Sequence, residues 1–197
     1  MPSDYSYTPD AALVVVDVQN DFADRAGSLY VTGGEGVVVA VNDEIDAARA
    51  GGAKVAYTAD WHPPETPHFV TDGGIWPVHC VRGTWGAEFH PDLVVAGEVV
   101  RKGTAGEDGY SGFTVRDPES GKETPTRLGT VLHAAGVRRL AVVGLATDYC
   151  VKATALDGAA LCFGTTVLRR AIAAVNLQAG DGDDAIAELV LAGVTVA

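Results

Sequence analysis

The chain has 197 residues, 47% of them apolar and 20% charged, and its 26 acidic against 14 basic side chains give a net charge of −12. That length can bury a sizeable core and fits one domain over 1–197. The composition is too apolar for a disordered chain, and no basic stripe offers itself to nucleic acid or to an anionic membrane surface.

Residues 11–18 form a β-branched, nearly continuous apolar run, the pattern of a strand buried on both faces. The Gly33-Gly34-Glu35-Gly36 cluster lacks both phosphate-loop spacings and reads as a turn before a helix over 37–50. In that helix Val37, Val38, Val41, Ile45 and Ala48 share one face, and Gly51-Gly52 ends it. A second strand follows over 53–59. Residues 60–92 are irregular and rich in Pro, Gly, His and Trp, and loops of such length are usually functional. A third strand is expected at 94–101, another irregular segment at 102–124 and a helix at 126–135. The chain then alternates: a strand at 139–145, a helix at 147–161, a strand at 165–168, a helix at 181–192 and a short strand at 194–196. This order predicts an α/β fold with a mainly parallel sheet and helices on both faces.

Cys80, Cys150 and Cys162 are too few and odd in number for a disulfide framework, and fit reduced thiols in a cytosolic enzyme. The polar first ten residues show no signal peptide, and the apolar runs are about half the roughly 20 residues of a membrane span. The expected location is cytoplasmic.

In open α/β sheets, ligands bind beyond the carboxyl ends of the strands. Residues 17–22, 60–62, 102 and 146–150 follow four of the expected strands, so an acid, an acid with a histidine, a lysine and a cysteine converge on one rim. Cys150 falls where unpaired amides and the helix dipole favour a thiolate, although a buried structural thiol fits equally well. Cys162, apolar on both sides, reads as a buried structural thiol, and Cys80 is ambiguous beside His79. Asp17 near the end of an apolar strand needs a partner, and Lys102 can supply one, either as a structural ion pair or as part of a nucleophile's proton-transfer system. Asp60, His62, His68 and His79 have the chemistry of a divalent transition-metal site, or are scattered polar loop residues. His90 and His133 read as structural.

Read together, DVQNDF (17–22), TADWHPPETPHF (58–69), WPVHC (76–80), GTWGAEFHPDL (83–93), RKG (101–103) with YSGF (110–113), and VVGLATDYCVKATALD (142–157) occur in family order. On these motifs the chain resembles the nicotinamidase/pyrazinamidase branch of the isochorismatase-like cysteine hydrolases. The resemblance implies a three-layer α/β/α fold with a six-stranded, mainly parallel sheet. It implies a catalytic triad of Asp17, Lys102 and Cys150, and an oxyanion hole from the Ala146 and Cys150 amides, with a cis bond at Leu145-Ala146. It places one zinc, manganese or iron ion at Asp60, His62, His68 and His79. Phe22 and Trp76 match residues that enclose a pyridine ring, and Tyr110 matches a further pocket position across a spacing that differs. Glu107-Asp108 lies in that loop of altered length, and Arg169-Arg170 stands where many relatives carry an acid. The activity implied is hydrolysis of nicotinamide, and of pyrazinamide, through a cysteine thioester. Its alternatives are another small-amide or isochorismatase-type hydrolase and a metal-stabilised module without catalysis. The expected partner is a small molecule, neither nucleic acid nor membrane, and a homo-oligomer is left open.

Overall fold

The computed structural model describes residues 3–197. Six strands form one sheet: β1 (Ala11–Val16), β2 (Lys54–Asp60), β3 (Glu98–Lys102), β6 (Arg139–Leu145), β7 (Gly164–Ala173) and β8 (Thr195–Val196). Their order is β3-β2-β1-β6-β7-β8, and every neighbouring pair is parallel. Two short strands, β4 (Thr114–Arg116) and β5 (Glu123–Pro125), make a separate antiparallel hairpin. The helices are α1 (Asn20–Ala23), α2 (Gly34–Ala50), α3 (Leu128–Ala134), α4 (Lys152–Ala160) and α5 (Asp181–Leu191).

The alternation of β1 sorts the core into two. Leu13 and Val15 pack with Val37, Val38, Val41, Ile45 and Ala48 of α2 on one face. Ala12, Val14 and Val16 pack with Leu128 and Leu132 of α3, Ala155 of α4 and Leu189 of α5 on the other. Helices therefore cover both faces of the sheet, giving the three layers expected. The strand order reverses between β1 and β6, where chains leave the sheet in opposite directions and open a crevice.

Several boundaries differ from the sequence reading. β1 stops at Val16 because Asp17 turns out of the sheet at φ 49°, a left-handed conformation that Asp adopts more readily than most residues. Helix α2 begins earlier, at Gly34, with Gly33 as its left-handed N-cap. The third strand is shorter, because residues 94–97 run on as an extended loop, and β7 is longer on both sides. The hairpin β4–β5 lay hidden in a stretch expected to be irregular, since its residues are half-buried or exposed and carry no apolar alternation. The expected helix at 147–161 opens with a π-helical turn, Thr147–Val151, before α4. Cys162 is exposed, not buried, because it follows α4 in a left-handed turn at φ 65°. Arg170 packs back onto α2, 3.0 Å from Asp43 and 3.9 Å from the buried Glu44. No helix of the described residues is long and apolar enough to cross a membrane.

Gly144 shows how tightly β1 and β6 meet. It holds φ 112°, and a Cβ there would lie 2.1 Å from the Val16 carbonyl oxygen. Gly144→Ala should therefore cost more than the roughly 1 kcal/mol typical of a point mutation, and urea denaturation should show the loss. Gly36, inside α2 with nothing near its absent Cβ, should gain about 0.4–1 kcal/mol as Ala. Equal stability of the two variants would contradict the backbone contact.

Candidate active site

Three neighbouring strands each deliver one charged group to the same end of the sheet. Asp60 and Lys102 are paired across β2 and β3, and Val16 opposite Thr58 sets Asp17 one residue further on. The Lys102 ammonium is 1% exposed and lies 2.9 Å from Asp17 Oδ2. It also donates to Asp60 Oδ1 and stands 3.5 Å from Cys150 Sγ. Thr58 Oγ1 donates to the other oxygen of Asp17 at 2.7 Å. Cys150 comes from across the crevice, on the π-helical turn after β6, and the Leu145-Ala146 bond before that turn is cis.

One oxygen from Asp17, one from Asp60 and Cys150 Sγ lie within 4.8 Å of one another. The cation in that cluster is the lysine itself. Burial alone would neutralise these groups, and the ion pairs oppose it with a different outcome at each. Burial lowers the Lys102 pKa, but Asp17, Asp60 and Cys150 hold it well above its usual value. Burial raises Asp60, and Lys102 with His62 and His79 more than reverses this. For Asp17 burial prevails over Lys102, and its pKa is raised. Burial also prevails at Cys150, where Lys102 lowers the pKa but Asp17 and Asp60 add to its rise. Burial therefore works against the thiolate that a helix start favours, and the Lys102 ammonium works for it. The π-helical turn buries the sulfur beside two carboxylates.

Next to this cluster sit three buried imidazoles. One nitrogen each from His62, His68 and His79 lies within 4.8 Å of the others. Asp60 links the two groups: while Oδ1 holds the lysine, Oδ2 is 3.8 Å from His62 Nε2 and 4.0 Å from His79 Nε2. His79 Nδ1 donates to the Pro77 carbonyl at 2.7 Å, which leaves Nε2 free to ligate. His68 Nδ1 is 2.8 Å from Asp108 Oδ1, with the same consequence. Neither nitrogen of His62 has a hydrogen-bond partner among the described residues. Buried, unpartnered imidazole nitrogens beside a carboxylate fit a divalent transition metal. Gly103 makes room for this ring, since a Cβ there would lie 2.7 Å from His62 Nδ1.

Above both clusters is a cavity walled by Phe22, Trp76, Tyr110 and Tyr149, with Cys150, Ala146, His68 and His79 also facing it. Trp76 Nε1 donates to the Tyr110 hydroxyl at 3.1 Å, and the Tyr149 ring meets Trp76 edge-on at 4.8 Å. Asp17, Lys102, Cys150, the Asp60 and histidine set, Ala146 and the three aromatic residues expected from the sequence therefore meet in one place. Outside it, His90 accepts the Asp92 amide and His133 stacks on Phe163, so both are structural. Cys80 is buried, with burial raising its pKa.

Sequence reasoning missed three contributors. Tyr149 was not singled out from the sequence, yet it closes the aromatic wall. Gln19 spans the site from below: Nε2 donates to the Asp60 and Ala87 carbonyls, and Oε1 accepts the Asp60 amide, each at 2.8 Å. A glutamine fully buried at the end of an apolar strand was the available signal. Asp108 passed for part of a loop of variable length.

The Isochorismatase domain family model matches residues 11–197. The chain belongs to the isochorismatase family. Among curated relatives, it is similar to the nicotinamidase/pyrazinamidase of Mycobacterium tuberculosis, 41% identical over 177 residues, covering 88% of each chain. Among solved structures it is similar to the pyrazinamidase of Pyrococcus horikoshii in complex with zinc. That match has 37% identity and a TM-score of 0.85, and covers 96% of this chain and 99% of the other. It is also similar to PnC1 from L. infantum in complex with nicotinate, with 35% identity, a TM-score of 0.88 and coverage of 98% and 95%.

The shared ammonium gives this isochorismatase-family site a measurable signature. Lys102→Met keeps the stem but leaves two buried carboxylates facing each other. Removing one partner of a buried ion pair costs about 3–5 kcal/mol. Urea denaturation of the metal-stripped protein should show a loss of that order. An unchanged midpoint would mean that the carboxylates are not charged around the lysine.

Proposed function

We propose that the protein is an amidase that hydrolyses nicotinamide to nicotinate and ammonia, and pyrazinamide likewise, with Asp17, Lys102 and Cys150 as its catalytic residues. The observation that carries this reading is the Lys102 ammonium, which touches Asp17 and Cys150 at once, with Cys150 itself lining an aromatic cavity. A family relative complexed with nicotinate and another complexed with zinc support the substrate class and the metal.

In the first half-reaction, Asp17 takes the Cys150 proton as sulfur attacks the amide carbon. A carboxylate with a raised pKa is suited to that task, because a base works best when its pKa approaches the working pH. The Ala146 and Cys150 amides face the developing oxyanion and stabilise it. As the intermediate collapses, Asp17 gives its proton to the departing nitrogen, which leaves as ammonia, and a thioester remains on Cys150. In the second half-reaction, Asp17 takes a proton from water, whose oxygen attacks the thioester carbon. Collapse frees the carboxylic acid and returns the proton to sulfur. Lys102 holds its charge throughout and keeps thiol and carboxylate in register.

Asp60, His62, His68 and His79 would hold one divalent ion of zinc, manganese or iron. When bound, it supplies a Lewis-acid partner for a pyridine nitrogen. Phe22 and Trp76 would enclose the ring, with Tyr110 as a further lining residue, and a ring fixed in this way presents its amide to Cys150, a positioning effect.

Cys150→Ala should remove ammonia release with the fold intact, whereas Cys162→Ala, an exposed turn position, should leave it unchanged. Asp17→Asn keeps the shape but cannot take the proton, and should lower the rate by about 10²- to 10⁴-fold. Turnover by a verified Cys150→Ala preparation would sink the mechanism. Benzamide tests the substrate, since it has the shape of nicotinamide without the ring nitrogen. Metal-loaded protein should strongly prefer nicotinamide, and chelation should erase much of that preference. Equal rates on the two amides would show that the ring nitrogen is not read.

A further inference from the structure

Asp108 does not face the cavity and has no part in the chemistry above. Its carboxylate is nonetheless held at both oxygens beside the histidines. Oδ1 accepts hydrogen bonds from His68 Nδ1 and the Gly109 amide, each at 2.8 Å. Oδ2 accepts from Arg116 Nη2 at 2.7 Å. The backbones of Asp108 and Arg116 also pair, with amide-to-carbonyl distances of 2.7 Å and 2.6 Å. Asp108 is therefore clamped to the first strand of the β4–β5 hairpin through main chain and side chain together.

His68 needs such a clamp. It comes from a loop with no strand to fix it, and its ring otherwise rests on stacking, 4.7 Å from His62 and 6.5 Å from Trp76. Among the described residues, it is the one member of the histidine cluster whose Nδ1 meets a carboxylate. His79 uses its neighbour's carbonyl, and His62 uses none. A carboxylate behind a ligating imidazole fixes its tautomer and orientation, and makes the opposite nitrogen a better donor.

We propose that Asp108 and Arg116 are a positioning pair that fixes His68 as an Nε2 metal ligand, so that the hairpin outside the cavity sets part of the affinity for the divalent ion. This rests on the reading of His68 as a ligand. Arg116 is half-exposed, so the pair tunes the site from the surface.

The test is zinc affinity of the metal-stripped full chain, measured by competition with a chromophoric chelator. His68→Ala and Asp108→Asn should each weaken binding by about 10- to 100-fold. In the double variant Asp108→Asn should add nothing to His68→Ala, because it acts through that ring. Arg116→Met should weaken binding less and in the same direction. It leaves the backbone pairing intact, so it carries the test if Asp108→Asn does not fold. Cobalt-loaded Asp108→Asn should show shifted visible bands relative to the parent. Thermal unfolding of the metal-free Asp108→Asn should match that of the parent. Wild-type affinity in Asp108→Asn alongside a loss in His68→Ala would overturn the positioning role. So would further weakening in the double variant. Wild-type affinity in His68→Ala would instead overturn the ligand reading beneath it.

Discussion

A single buried ammonium holds the site together. Lys102 is out of water, and a lone charge there would be too costly to persist. It persists because Asp17, Asp60 and Cys150 surround it, and they can do so only if three strands keep their register. A slip of one residue in β2 or β3 would turn Asp60 or Lys102 to the opposite face of the sheet. The parallel pairing of Asp60 with Lys102 and of Val16 with Thr58 is thus a requirement of the charge cluster as much as of the core. Gly144 belongs to the same constraint, because β6 must come close to β1 for the turn carrying Cys150 to reach the lysine.

The charge count around that ammonium points towards the histidines. Two carboxylates share one lysine, so an excess of negative charge is left over. At Asp17 burial raises the pKa and so opposes that charge, while the Thr58 hydroxyl donates to the carboxylate and supports it. Asp60 keeps its charge and turns its second oxygen to His62 and His79. A cation held among the imidazoles would therefore stabilise the same carboxylate that the lysine does. The Lys102 cluster and the histidine cluster are electrostatically one unit with Asp60 in the middle.

The sheet was legible because its strands are long, apolar runs separated by helices, and strand-end residues could be grouped by topology alone. Asp17, Asp60, Lys102 and Cys150 were found that way, before any family likeness. The likeness was needed for Phe22, Trp76, Tyr110 and Ala146, whose types are common and whose meeting depends on loop paths. Helix α1 escaped because four residues carry no helical period. The raised pKa of Cys150 escaped because it depends on burial and on the balance of three charges, and no sequence spacing encodes that balance. Asp108 escaped because the side chain it orients lies 40 residues away.

The long loop poses the remaining problem, since it carries His68, Trp76 and His79 with almost no regular structure. Its anchors come from the stretch that also supplies Asp17. Gln19 holds the carbonyls of Asp60 and Ala87, and the Asn20 side chain holds that of Trp85 at 2.8 Å. Asp21 is buried and accepts the amides of Ser28 at 3.0 Å and Cys80 at 2.7 Å, next to His79. A hydrogen bond to a charged acceptor contributes about 1.5–3 kcal/mol, enough for a few such bonds to fix a loop that has no strand pairing. Gly86 fits under Asp21 because a Cβ would lie 2.1 Å from its carboxylate. Residues 17–22 therefore divide the work: Asp17 faces Lys102 and Cys150, Gln19, Asn20 and Asp21 tie down the loop, and Phe22 lines the cavity. The polar density of that short run follows from placing chemistry and loop anchorage at the end of one strand.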